Sequence, residues 1–101
     1  MEASVLKLPR ELTIFTVEIF WKTLVETIET MVQDGEKKLV LYFGGLEKID
    51  GSGVQLLLSL EKTMLKEDFQ VKYIDIDDSI KKTFKLIGVE YLLTMAGDSI
   101  E

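Results

Sequence analysis

The chain has 101 residues, 47% of them hydrophobic and 30% charged, which leaves room for one compact domain and argues against wholesale disorder. It contains no Cys and no His, so thiolate zinc sites, disulfide frameworks, Cys or Ser–His nucleophile pairs and haem histidines are excluded. The charge sum, 12 − 18 = −6, disfavours nucleic acid or an anionic membrane as a partner.

No stretch reaches the roughly 18 consecutive apolar residues of a membrane span. The start, Met1-Glu2-Ala3-Ser4, lacks the basic and apolar pattern of a signal peptide. The expectation is a cytoplasmic protein without membrane insertion, forming one domain over 1–101, with 96–101 a frayed tail.

In chain order, residues 5–8 alternate as a short strand, the single proline makes a turn with Arg10, and 11–14 reads as a second strand. Thr16 stands where a helix N-cap belongs, with Glu18 in the first turn, where the helix dipole favours an acid. Val17, Phe20, Trp21, Leu24, Val25, Ile28, Met31 and Val32 then recur in steps of three and four as one helical face that reads as core, and Gly35 supplies a stop.

Leu39-Val40-Leu41-Tyr42-Phe43 is continuously apolar, the pattern of a strand covered on both faces. After Gly44-Gly45 and the segment 46–50 comes Gly51-Ser52-Gly53. The leucine-rich helix 54–66 follows, whose charges, Glu61, Lys62 and Lys66, appear only towards its end. Phe69, Val71 and Tyr73 alternate as a further strand continuing to Ile76. Asp77 and Asp78 open a third helix, with Asp77–Lys81 and Asp78–Lys82 at ion-pair spacing, Ile80, Phe84 and Ile87 inside, and Gly88 at its end. Residues 89–93 read as an apolar closing segment. The order β-β-α-β-α-β-α implies a mostly parallel sheet with right-handed crossovers.

The segment with chemical character is Asp50-Gly51-Ser52-Gly53, between a buried strand and a helix, where open α/β sheets place ligand contacts. Gly51 and Gly53 let the backbone approach a partner closely, and a phosphate on Ser52 would meet the outward N–H groups of the next helix. The lysine of a nucleotide-binding P-loop is absent, so a covalent phosphate fits better than a bound nucleotide. The competing reading is that Asp50 or Ser52 simply caps the helix.

The run at 39–43, the turn Ile49-Asp50-Gly51-Ser52-Gly53-Val54, the leucine-rich helix and Phe84-Lys85-Leu86-Ile87-Gly88-Val89 together resemble the STAS domain, over essentially the whole chain. That is the family of bacterial anti-sigma factor antagonists and of the cytoplasmic domains of sulfate transporters. Glu11-Leu12 resembles the family's G-E-L-D opening, with Arg10 and Thr13 where Gly and Asp are common. The resemblance implies a mostly parallel or mixed sheet of about four to five strands with helices packed on it. It also implies a regulatory binding module docking an anti-sigma factor that is also a serine kinase; an enzyme is not expected, and no cofactor or metal, because the lone Asp50–Ser52 pair has no general base, metal cluster or histidine beside it.

In such antagonists the turn reads D-S-S-G or D-S-T-G, and the Ser after the Asp is phosphorylated. Here Gly51 holds that position and Ser52 matches the second hydroxyl. Two readings stay open. In one, Ser52 is the acceptor in a partner-binding turn of Asp50, Gly51, Ser52 and Gly53, with Glu47 and Asp50 adding charge beside it and Ser59 or Ser79 next in line. In the other, the chain is a STAS scaffold or subunit without phosphorylation, in a chemotaxis or transport complex, as the Gln55-Leu56-Leu57-Leu58 continuation also suggests.

Overall fold

A computed structural model describes residues 3–92, in which the chain runs β1 (Ser4–Lys7), β2 (Glu11–Leu12), α1 (Val17–Asp34), β3 (Lys38–Tyr42), β4 (Lys48–Ile49), α2 (Gly51–Lys66), β5 (Gln70–Ile74) and α3 (Asp78–Ile87). The strands form a three-stranded sheet, β1-β3-β5, and a separate two-stranded one, β2-β4, and every pairing is parallel. Because the order advances steadily from β1 to β3 to β5, right-handed crossovers place α1 and α2 on the same side of the larger sheet.

That one-sided layering corrects the expectation for the run at 39–43. Leu39 and Leu41 are fully buried, whereas Val40 and Tyr42 are only half-buried. Leu39 pairs with Val71, and Leu41 with Leu6 and Tyr73, so these residues share the helix-covered face. The Phe43 and Tyr73 rings meet there at 4.8 Å between centroids. The opposite face, with Val5, Val40, Lys72 and Ile74, is half-buried to exposed among the described residues.

The second expected strand, 11–14, ends at Leu12. The Thr13 N–H donates to Thr16 Oγ1 at 3.0 Å, and that hydroxyl donates to the Glu11 carbonyl at 2.9 Å, which closes the chain into a tight loop. Thr16 does occupy the N-cap position of α1, but its side chain makes no cap bond, being engaged in that loop. Leu12 instead finds a partner that local pattern did not announce, β4, whose two residues are too short to show alternation.

Helix ends follow the local signals. Gly35 and Gly88 close α1 and α3 in the left-handed conformation, at φ 73° and 90°. Asp77 caps α3 by accepting from the Ile80 N–H at 3.0 Å and also holds the Ser79 hydroxyl. Its carboxylate is thereby committed, and among the described residues neither Asp77–Lys81 nor Asp78–Lys82 closes into an ion pair. Val89 and Leu92 of the closing segment are buried, while Leu93 and the tail 96–101 lie outside the described residues.

α2 is the most deeply packed helix, burying Val54, Leu56, Leu57, Leu60 and Met64. Glu61 departs from expectation. It is 6% exposed, because it falls four residues after Leu57 and seven after Val54 on the inward stripe. Its Oε2 and the Tyr73 hydroxyl are both enclosed and neither has a hydrogen-bond partner. Burial pushes the Glu61 carboxyl above its ordinary value, an effect that the nearby phenol opposes without reaching hydrogen-bond geometry. The Tyr73 hydroxyl is raised as well, chiefly by its own burial and then by Glu61.

Candidate functional site

The site is built on the Asp50 carboxylate. The residue is extended, at φ −119° and ψ −172°, and its Oδ1 accepts from the Gly53 N–H at 3.0 Å. Its Oδ2 accepts from the Ile14 N–H, also at 3.0 Å, across 36 positions of sequence. One carboxylate thus starts α2 and ties the loop between β2 and α1 to it. These two N–H donors, Ile14 first and Gly53 second, hold the Asp50 carboxyl below the usual carboxylate range.

The expected turn 50–53 is therefore largely helix. Asp50 alone is the cap, and Gly51, Ser52 and Gly53 form the first turn of α2. The two glycines have opposite surroundings. A Cβ on Gly53 would penetrate the Leu12 carbonyl oxygen and lie 2.7 Å from Ile49 Cγ1, so only hydrogen fits between the helix and the β2–β4 pair. Gly51 is exposed, and a Cβ there would meet nothing within 4 Å.

Ser52 is half-buried in the wall of a cleft of about 370 Å³ between α1 and α2. Val17, Trp21 and Leu56 supply its apolar lining, Gln55 and Ser59 its polar part, and Glu18 its acid. The Ser52 hydroxyl makes no hydrogen bond within the described residues. Of the other serines, Ser59 lies in the same cleft, and Ser79 is engaged at the start of α3.

Glu47, expected to add charge beside the turn, is instead paired with Arg10 at 3.0 Å in a depression shared with Glu11 and Lys48. With both side chains well exposed, this pair contributes little to stability. The acid that lines the cleft is Glu18, while Asp50 caps the helix that carries Ser52. Among the described residues no group of three or more Asp or Glu could hold a metal.

Sequence reasoning missed three members of this surface. Trp21, expected on the core face, does pack against the core but is only half-buried and also lines the cleft. Ile14 and Phe15 are 61% and 86% exposed on the loop that Asp50 holds. A signal for Phe15 was available, since it stands outside the stripe begun by Val17 and Phe20.

Comparisons with known proteins agree with this architecture. The family described as Mlab, STAS domain, matches residues 1–94. A search of curated proteins found no match. Among solved structures, the anti-sigma factor antagonist SpoIIAA in its unphosphorylated form superposes with a TM-score of 0.68 at 22% identity, over 88% of this chain and 75% of that one. At that identity the likeness is one of fold.

Proposed function

The chain belongs to the STAS domain family, and from that membership and the geometry at the start of α2 we propose that it is a regulatory binding module of the anti-sigma factor antagonist type. It docks a partner serine kinase or anti-sigma factor through Asp50, Gly51, Ser52, Gly53 and the helix behind them, in the cytoplasm, and Ser52 is the switch. The observation that carries this reading is the unengaged Ser52 hydroxyl in the wall of an apolar cleft, at a helix start.

A phosphate there adds about −1.5 to −2 charges at pH 7. The N-terminal N–H groups of α2 tolerate it, so the fold survives. In the cleft, however, it shares the wall with Glu18, two residues after Asp50, and turns a surface that must lose water on docking into a strongly hydrated one. A loss of ~3 kcal/mol would weaken association more than a hundredfold. A catalytic role is disfavoured, because the Asp50 carboxylate is committed to two backbone donors and held below the usual carboxylate range, which makes it a poor base.

Gly51 favours a second reading, a STAS subunit without a phosphorylation switch, because the usual acceptor position has no hydroxyl. Incubation of the chain with its partner kinase and ATP separates the two. Labelling of the wild type that Ser52→Ala abolishes supports the switch, as does weaker partner binding by Ser52→Asp at unchanged melting temperature. Equal affinity of Ser52→Asp and wild type sinks it.

A further inference from the structure

Helix α1 turns an acidic face outward. Its charged residues, Glu18, Lys22, Glu26, Glu29 and Asp34, are all exposed and sum to 1 − 4 = −3. At the head of that face stand three large apolar side chains, Ile14, Phe15 and Ile19, exposed to 61%, 86% and 72%. Single exposed apolar residues are ordinary on protein surfaces, but three large ones within six positions of the chain, one of them aromatic, mark an interaction site.

The loop that carries Ile14 and Phe15 is held in place. The Thr13 N–H is bonded to Thr16 Oγ1, the Ile14 N–H to Asp50 Oδ2, and the Phe15 N–H to Thr13 Oγ1 at 3.3 Å. Three successive backbone donors are thus satisfied by side chains, which fixes the loop with its aromatic ring facing water. An anchor presented this way loses little conformational freedom on binding.

Charge then selects the occupant. A second copy of the chain would set two faces of −3 against each other, and an anionic lipid surface would be repelled. We propose that α1 and its leading loop form a docking surface beside the Ser52 cleft, sharing Glu18 with it, with Phe15 as anchor, and that its occupant is an amphipathic helix of a partner protein. That helix seats an apolar cluster around Phe15, Ile14 and Ile19 and lays Lys or Arg along the acids of α1.

The test uses the full chain and a synthetic amphipathic helical peptide with Leu on one face and Lys on the other, beside a twin in which every Lys is Glu. In calorimetric titration the Lys peptide binds, the Glu twin binds at least about tenfold more weakly, and added salt weakens the Lys peptide. Phe15→Ser weakens it at least about tenfold at unchanged melting temperature. Absence of binding by the Lys peptide, equal binding by the two peptides, or full affinity in folded Phe15→Ser overturns the proposal. Self-association in sedimentation velocity that Phe15→Ser abolishes also overturns it, by making the occupant a second copy.

Discussion

Gly53→Ala and Gly51→Ala, two residues apart on the same helical turn, should act in opposite directions. At position 53 the new methyl group falls inside the Leu12 carbonyl oxygen, 2.7 Å from Ile49 Cγ1. That carbonyl cannot retreat freely, because it accepts the Asp50 N–H at 3.3 Å beside the pairing of Leu12 with Ile49. Overpacking of this kind costs about 3 kcal/mol, the better helix propensity of Ala returns up to about 1, and the net loss is about 2 kcal/mol. For a domain of this size that lowers the melting temperature by about 8–16 °C. At position 51 the methyl group meets open space, and the lower entropy of the unfolded chain stabilises by about 0.4–1 kcal/mol. Thermal and urea unfolding followed by far-UV circular dichroism gives both numbers. If Gly53→Ala melts at or above the wild-type temperature, the close approach of α2 to the β2–β4 pair is not the constraint inferred here.

Other outcomes follow from the same geometry. Gly51→Ser should fold like the wild type and place a second hydroxyl at the family's usual acceptor position, so that mass spectrometry after kinase treatment finds phosphate on residue 51. The folded-state value of Glu61 lies above the ordinary 4.5, so the unfolded chain releases this proton first. The stability Glu61 contributes is full below about pH 4.5 and is lost as pH rises through its folded value. Glu61→Gln should therefore be more stable than the wild type at neutral pH, with the gap closing in acid; a gap independent of pH in urea unfolding would count against the buried carboxyl. Asp50 and Asp77 have lowered folded-state values, so their contribution is present above the ordinary 3.8 and lost as pH falls through the folded values. Asp50→Asn should flatten the acid limb of the melting temperature against pH. Leu57→Ala, at a fully buried position, should cost about 2–5 kcal/mol, whereas Leu65→Ala, at an exposed one, should stay within about 0.5.

Much of the molecule follows from the order of residues alone, because the physics involved is local. The 3.6-residue recurrence from Val17 to Met31 makes α1, the glycines at 35 and 88 stop helices, and Asp50 and Asp77 cap them within three residues of themselves. The family was legible for the same reason, through its run at 39–43 and its turn at 49–54.

Contacts between positions far apart in sequence decided the rest. Whether the run at 39–43 is covered on one face or two depends on where the helices settle, and periodicity within five residues does not record that. β4 exists only because Arg10 and Leu12 pass beside it, and Glu61 is buried because α2 lies against Tyr73. The candidate site shows the division most sharply. Asp50 as a cap is written into residues 50–53, but its bond to Ile14, the cleft that Trp21 and Glu18 share with Ser52, and the outward Phe15 come from bringing two loops to one end of the sheets. A side chain's local backbone preference is set by its neighbours in sequence, whereas its burial and its partners are set by whichever surface the fold places opposite it.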